Sequence, residues 1–196
     1  MKYLITGASG LIGKKLVNKL LEQNASINIL TTNKNLKSSN KNINKFYWNP
    51  ELNKIDSNCI NGVHIIINLA GSPIAQLWTK SSKKSILLSR TNSVKLLYKI
   101  ILEQKSKIDH FFCASAIGIY KSDNSYTHTE SSQNTSNSFL GNTVSKWETS
   151  CKKLKEQKIN VTILRIGLVL SLNGGLLKPI ALSVKYFLGT WFGKGE

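Results

Sequence analysis

A glycine motif near the start of the chain constrains the fold more than any other feature. Gly7, Gly10 and Gly13 form a G-x-x-G-x-x-G sequence between an apolar stretch, residues 2–6, and a segment with helical apolar spacing, residues 11–22. In a strand–turn–helix unit such glycines allow a tight turn, close approach of the backbone to a pyrophosphate, and helix–strand packing. The motif therefore favours a dinucleotide site over a ligand-free glycine turn. The predicted cofactor contacts are Gly7, Ser9, Gly10, Leu11, Ile12 and Gly13.

The hydrophobic pattern along the chain alternates between strand-like and helix-like segments. This alternation predicts a parallel sheet with right-handed crossovers, and hence an α/β, Rossmann-type, doubly wound fold. The length predicts one nucleotide-binding domain over residues 1–196. The predicted strands are residues 2–6, 27–31, 63–69, 111–115 and 161–165, the predicted helices are 11–22, 80–103 (capped by Thr79), 140–154 and 176–188, and the predicted loops are 33–44 and 120–137.

The net charge of +17 raises the question of a nucleic-acid partner. The positive residues are 25 lysines and only 2 arginines, although arginine is the main reader of guanine edges and binds phosphate through paired hydrogen bonds. Lysine, asparagine and isoleucine all have A/T-rich codons, so compositional drift explains the charge more simply. We expect no specific nucleic-acid partner.

Apolar runs in the sequence are short. None reaches the roughly 20 residues that a membrane helix needs, and the first residues lack the apolar core of about 7–15 residues of a signal peptide. A cytoplasmic protein without membrane contact is expected. Cys59, Cys113 and Cys151 lie far apart without metal-ligand spacing, so reduced packing thiols and no metal site are predicted.

The end of the second predicted strand bears on the choice between NADP(H) and NAD(H). An NAD site usually carries an Asp or Glu there for the ribose 2′-hydroxyl, but no acid lies between Glu22 and Glu51. Thr32 and Lys34 leave a neutral-to-basic strand end that tolerates a 2′-phosphate. NADP is therefore the preferred cofactor and NAD the less favoured one; the alternative for Lys34 is one more solvated lysine.

Further motifs follow the glycine loop in a fixed order. They are Ile67-Asn68-Leu69-Ala70-Gly71, Trp78-Thr79, Ser89-Arg90, ASAIGIY at residues 114–120, Trp147-Glu148 and LRIGLVLS at residues 164–171. Together they resemble the extended short-chain dehydrogenase/reductases, and more narrowly their atypical members, the NAD(P)-dependent epimerase/dehydratase-like proteins. The resemblance spans almost the whole chain and implies an oxidoreductase or epimerase acting on an unidentified small substrate.

The resemblance also implies residue roles around the cofactor. Ala70 and Gly71, with Leu69 before them, would lie against its adenosine and ribose region, the alternative being an ordinary strand exit. Arg90 and Arg165 are the only arginines in the chain. They would orient the cofactor or a substrate acid, or would instead form internal ion pairs, for example with Glu148.

The catalytic residues that the resemblance implies are incomplete. Ser115 would be the active-site serine and would hydrogen-bond a substrate carbonyl or alcohol. The superfamily's Tyr/Lys pair, however, falls on Leu140 and Val144, neither of which can transfer a proton. Tyr120 is the nearest available substitute. The alternative is a non-catalytic dinucleotide-binding or regulatory remnant.

The final residues resemble a glycine-rich family segment that precedes a substrate-covering C-terminal portion. We therefore expect a Rossmann domain from which the C-terminal substrate portion is missing.

Overall fold

A computed structural model of the 196-residue chain describes residues 1–123, 125–175 and 177–188, and only the backbone of Lys178. The chain divides into two compact units, residues 1–165 and 166–196. Within the described residues, no helix has both the length and the apolar character needed to cross a membrane.

The first unit is built on a seven-stranded sheet flanked by helices. Its strands lie in the order β4-β3-β2-β1-β5-β6-β7, and the last residue of β7 passes into the second unit. The α/β, mostly parallel, doubly wound prediction is confirmed. The strands are β1 (Lys2–Thr6), β2 (Ser26–Thr31), β3 (Ile43–Asn49), β4 (Lys54–Ile55), β5 (Ile65–Asn68), β6 (His110–Ala116) and β7 (Asn160–Ile166), and the helices are α1 (Leu11–Glu22), α2 (Lys80–Glu103) and α3 (Phe139–Lys152).

Strands β3 and β4 were not predicted. β3 pairs in parallel with β2, with Phe46 opposite Leu30, and takes its first two residues from the predicted loop 33–44. β4 pairs antiparallel with β3, so this edge of the sheet is mixed. β3 has two polar residues in succession at 44–45 and three aromatic residues in succession at 46–48, so it shows neither a continuous apolar run nor regular alternation. Such a strand depends on pairing with a distant partner more than on its own apolar character.

Both faces of the sheet are covered. Successive residues of a strand point to opposite faces, and Leu4 and Ile5 of β1 are both fully buried. On the Ile5 side, Val17 and Leu20 of α1 pack against the sheet in one hydrophobic cluster. Burial on both faces explains why the central strands are nearly continuous apolar runs rather than alternating ones.

The two long helices of the first unit begin at side-chain caps. Thr79 accepts a hydrogen bond from the Ser82 amide at 3.1 Å and starts α2, as predicted. Ser138 accepts one from the Gly141 amide at 3.1 Å and starts α3. Caps of this type satisfy amides that the first helical turn leaves without partners.

All three cysteines are buried, and no disulfide joins any two of them. Cys59, Cys113 and Cys151 are each 0% exposed. They lie in a 3₁₀ turn, in β6 and in α3, where they pack as small apolar residues, as the sequence analysis predicts.

In its described residues, the second unit contains a two-stranded antiparallel ribbon and one helix. β8 (Leu170–Ser171) pairs with β9 (Gly174–Gly175), and α4 (Leu177–Lys185) follows. The predicted helix at 176–188 is therefore present in a shorter form; its first residue lies outside the described ranges.

Candidate functional site

A cleft of about 780 Å³ lies in the first unit where the central strands end. The register places Thr6 of β1 opposite Leu30 of β2 and Asn68 of β5, so the segments that follow these strands meet at one edge of the sheet. This edge is where open α/β folds bind ligands. The lining residues are Gly7, Ala8, Ser9, Lys14, Ile29–Asn33, Asn35, Lys45, Trp48–Glu51, Ala70–Ser72 and Ser89.

The glycine loop can be built only with glycine at two of its positions. Gly7 has φ +68°, and a Cβ there would lie 2.7 Å from the Leu69 carbonyl oxygen. A Cβ on Gly13 would meet the Gly7 carbonyl oxygen and the Ala8 backbone. The loop therefore packs directly on the exit of β5 and on the first turn of α1.

The amino end of α1 has amides without protein acceptors, between Ser9 and Lys14, which both line the cleft. Its cap residue, Gly10, has no side chain to bond them, and no acidic residue lies in the first turn. Among the described residues, Lys14 is the first whose amide bonds back, to Gly10 at 2.9 Å, so the amides of Leu11, Ile12 and Gly13 have no protein acceptor. Free amides at a helix amino end bind phosphate, and these residues fit the pyrophosphate of a dinucleotide.

A buried polar pair holds the exit of β5 against β1. Thr6 donates through Oγ1 to Asn68 Oδ1 at 2.7 Å and accepts from the amides of Leu69 and Ala70 at 3.1 and 3.0 Å. This network fixes the backbone that forms one wall of the cleft. Sequence reasoning missed Thr6 as a positioning residue, although a polar residue at the end of an apolar strand is a signal for such a role.

Arg90 lies behind that wall. It is 8% exposed, and its Nη1 donates to the carbonyl oxygens of Ser72 at 3.2 Å and Ile86 at 2.9 Å. Its guanidinium lies 5.3 Å from the centre of the Trp147 ring, and a Cβ on Gly71 would be 3.1 Å from its Cζ. Within the described residues Arg90 has no carboxylate partner. Burial lowers the pKa of this guanidinium.

Arg165 and Glu148 form a two-point ion pair. Arg165 Nε donates to Glu148 Oε1 at 2.9 Å, and its Nη2 donates to Oε2 at 3.0 Å. Burial alone would raise the pKa of Glu148, but hydrogen bonds from Arg165 and Ser115 outweigh it and lower that pKa. Hydrogen bonding to Glu148 raises the pKa of Arg165. Of the two roles left open for Arg165, the internal ion pair is the one present in this structure.

Ser115 joins the same network at the end of β6. The residue is 4% exposed, and its Oγ donates to Glu148 Oε1 at 2.6 Å. The carboxylate thus accepts a charge-assisted hydrogen bond from the Ser115 hydroxyl. The oxygen of Ser115 keeps its lone pairs for a further donor.

The hydroxyl of Tyr120 is also engaged. It accepts from Arg165 Nη1 at 2.8 Å and donates to the Thr129 carbonyl at 3.0 Å, while its ring stacks on His128. Ser115 and Tyr120 are therefore linked through Glu148 and Arg165. Neither lines the cleft as the described residues form it, and their catalytic roles stay predictions.

The predicted cofactor residues divide between the cleft lining and its support. Gly7, Ser9, Thr32, Ala70 and Gly71 line the cleft. Gly10, Leu11, Ile12 and Gly13 lie in the glycine loop and at the start of α1, and Leu69 and Arg90 lie at the wall. Arg165 lies on β7 in the ion pair with Glu148, away from the described lining residues. The Lys34 side chain is exposed and is not among the described lining residues.

Three charged residues of the cleft were missed from the sequence. Lys14, Lys45 and Glu51 all line it. Lys45 and Glu51 reach it only because β3 pairs with β2, and that pairing was not predicted. Lys14 follows Gly13 directly, and its position in the first turn of α1 was an available signal.

The fold and the glycine loop together define a Rossmann-type, dinucleotide-binding protein. The chain belongs to the NAD dependent epimerase/dehydratase family, whose model matches residues 3–178.

Curated relatives agree with this assignment. An epimerase family protein of Staphylococcus saprophyticus is 36% identical over 99% of this chain, and one of Staphylococcus aureus strain MRSA252 is 32% identical over 100%. The chain spans 64% of the length of each of these relatives.

Solved structures share the fold. The human epimerase family protein SDR39U1, crystallised with NADPH, superposes with a TM-score of 0.82 at 23% identity, over 100% of this chain and 63% of that one. A nucleoside-diphosphate sugar epimerase from Corynebacterium glutamicum gives a TM-score of 0.78 at 26% identity, over 100% of this chain and 39% of that one. The likeness to SDR39U1 concerns the fold alone.

Proposed function

We propose that this chain binds NADP(H) in the cleft and that the protein uses the cofactor as a reductase or epimerase on a small polar substrate. The observation that carries the proposal is the amino end of α1, where three amides without protein acceptors meet the glycine loop. These amides and the positive end of the helix dipole would hold the pyrophosphate. Ala70 and Gly71 would lie against the adenosine ribose. When bound, the nicotinamide supplies or accepts hydride.

The preference for NADP(H) over NAD(H) is supported by the end of β2. Thr31, Thr32 and Asn33 line the cleft there and present hydroxyl and amide groups where an NAD site usually has a carboxylate. The related human protein was crystallised with NADPH, whereas a UDP-glucuronic acid 4-epimerase of the same fold holds NAD.

Within this proposal, Ser115 would bind the substrate. Because the Ser115 hydroxyl already donates its hydrogen bond to Glu148, its oxygen can only accept a further hydrogen bond, and a substrate hydroxyl is the matching donor. Tyr120 would exchange a proton with the substrate after leaving its bond to the Thr129 carbonyl. Arg90 is buried, has no carboxylate partner among the described residues and lies next to Gly71 in the cleft wall. Its positive charge would attract the negatively charged cofactor on the other side of that wall.

A titration of the chain with NADPH, followed by the cofactor's fluorescence, tests the binding step. We expect saturable binding that NADP⁺ displaces. The test variant is Gly13→Ala, whose added Cβ meets backbone atoms of the glycine loop. The matched control is Gly118→Ala, whose added Cβ meets only Leu140 Cβ at 3.9 Å. Gly118→Ala should bind NADPH as the unsubstituted chain does. An unsubstituted chain that binds no nicotinamide dinucleotide would overturn the proposal.

A second candidate is a dinucleotide-binding protein without turnover. It is favoured by Leu140 and Val144 at the positions of the usual proton-transferring pair, and by the engaged hydroxyl of Tyr120. Oxidation of NADPH with a panel of small aldehydes and ketones separates the two candidates. Only the enzyme should give turnover, and Tyr120→Phe should then lower kcat; full activity in that variant would exclude a role for the phenol.

A further inference from the structure

The cleft is lined by two lysines from different elements. Lys45 is on β3, opposite Ile29 of β2, and Lys14 is in the first turn of α1. Both line the cleft together with the neutral residues Thr32, Asn33 and Asn35 that follow β2. Two cations therefore line the same cleft as the end of β2, which in this fold class lies beside the adenosine ribose.

Neither lysine is neutralised by an acid. Among the described residues, neither Lys14 nor Lys45 takes part in an ion pair. Glu51 is the sole acid in the described cleft lining, and it stands on the turn after β3. Lys45 Nζ makes one hydrogen bond, to the Lys37 carbonyl oxygen at 2.8 Å, so two of its three N–H donors have no protein acceptor in the described structure.

The bond from Lys45 to Lys37 also shapes the loop after β2. Side chains of the loop hold its turns. The Thr31 hydroxyl accepts a hydrogen bond from the Asn33 backbone amide at 3.1 Å, and the Asn33 side-chain oxygen accepts one from the Asn35 backbone amide at 2.9 Å. Lys45 then ties the loop to β3 at Lys37. In this arrangement Asn33 and Asn35 line the cleft, while Lys34 between them is not among the described lining residues.

We infer that Lys45 and Lys14 bind the 2′-phosphate of NADP(H), and that Lys34 does not. The inference rests on the proposed function and assigns the residues that set its cofactor preference. A phosphate monoester carries nearly two negative charges near neutral pH, and an unpaired ammonium binds phosphate as a compact point charge. The lysines would discriminate between two cofactors that differ only by this group.

The test measures dissociation constants of the full chain for NADP⁺ and NAD⁺. Lys45→Gln and Lys14→Gln each remove one cleft cation, and Lys34→Gln is the matched control. We expect each cleft variant to bind NADP⁺ about tenfold more weakly, the loss of one charged contact, and NAD⁺ within about twofold of the unsubstituted chain. Lys34→Gln should leave both constants unchanged within about twofold.

Two further measurements separate charge from damage to the fold. Lys45→Arg keeps the cation and should keep most of the NADP⁺ affinity. If Lys45 acted only through its hydrogen bond to Lys37, Lys45→Gln could still donate such a bond and would keep the NADP⁺ affinity as well. Adenosine 2′,5′-bisphosphate and 5′-AMP differ only by the 2′-phosphate, so only the first should lose affinity in the two cleft variants. Rising salt should weaken NADP⁺ binding more steeply than NAD⁺ binding.

Several outcomes would overturn the inference. They are a loss of NADP⁺ affinity in Lys34→Gln but not in Lys45→Gln, an equal loss for both dinucleotides in the cleft variants, or tighter binding of NAD⁺ by the unsubstituted chain. In each of these cases a dinucleotide still binds, so the proposed dinucleotide site survives. Binding of neither dinucleotide would remove both proposals together.

Discussion

At the scale of single residues, the Glu148 carboxylate carries the most consequence. It is 3% exposed and is hydrogen-bonded by Ser115 and twice by Arg165. Removing one member of a buried, hydrogen-bonded charge pair costs several kcal/mol, because the partner is left without compensation. Glu148 therefore acts first as the centre of a network that fixes Ser115 and Tyr120.

Glu148→Gln should destabilise the chain by roughly 3 kcal/mol at pH 7. Because the pKa of Glu148 is lowered in the folded state, its contribution is complete above the pKa of the unfolded chain and is lost as the pH falls through the lower folded value. Urea unfolding of both proteins between pH 7 and pH 3 measures this. The difference between them should shrink toward acid pH.

The exposed Glu22 provides the control for that prediction. Its carboxylate pairs only with the exposed Lys19, so Glu22→Gln should change the free energy of unfolding by less than about 0.5 kcal/mol. A Glu148→Gln penalty that stays constant down to pH 3 would mean that the ion pair does not account for the stabilisation.

At the scale of elements, the contact between α1 and the loop after β1 joins stability to binding. A Cβ on Gly13 would overlap the Gly7 carbonyl oxygen, and the backbone cannot yield as a flexible side chain would. Gly13→Ala should lower the free energy of unfolding by about 2–3 kcal/mol through overpacking. It should also weaken NADPH binding at least tenfold.

Urea unfolding and the fluorescence titration measure the two effects of Gly13→Ala. Gly118→Ala is the control, since its added methyl group has ordinary space. Equal stability of the two variants would contradict the packing argument, and normal NADPH binding by Gly13→Ala would contradict the link between this contact and the site.

Helix α2 offers a simpler test of local structure. Thr79→Ala removes the side chain that accepts the Ser82 amide and should cost about 1 kcal/mol in the free energy of unfolding. Thr79→Ser retains the hydroxyl and should cost much less. Thermal unfolding of the unsubstituted chain and both variants checks the cap. If Thr79→Ala melted at the same temperature as the unsubstituted chain and Thr79→Ser, the Thr79 hydroxyl would not stabilise α2.

The elements also show which parts of the structure the sequence could predict. β1, the glycine loop and α1 are contiguous, so local spacing was enough to place them. β3 was missed because it shows neither a continuous apolar run nor regular alternation, and its place in the sheet is set by pairing with β2. Lys45 was missed with it as a residue of the cleft lining, whereas Lys34 is close to β2 in sequence but is not among the described lining residues. The bond between Ser115 and Glu148 joins residues 33 apart, a distance that no local pattern encodes.

At the scale of the whole molecule, cofactor binding should stabilise the fold by mass action. NADPH at about one hundred times its dissociation constant should add about 2.7 kcal/mol to the free energy of unfolding. Thermal unfolding with and without NADPH measures the gain. The addition of NADPH to Gly13→Ala should give a smaller shift, and an equal shift in both proteins would place the cofactor away from the glycine loop.

The chain spans 64% of the curated relatives that it matches, so the substrate and the full activity belong to the proposal and not to the fold. Cytoplasmic location and the absence of a nucleic-acid partner stay predictions from the sequence.

The three buried cysteines give the molecule an internal reporter of its own opening. Burial raises the pKa of Cys59 to about 12, and contact with Cys113, together with burial, raises that of Cys151. A thiol reagent reacts with thiolate and needs access, so labelling must wait for the sheet to open. Its rate then measures the population of open molecules without denaturant, residue by residue if the modified peptides are mapped. Any ligand that binds the folded chain should lower the population of open molecules and slow that rate. Candidate substrates can therefore be screened by their effect on cysteine labelling.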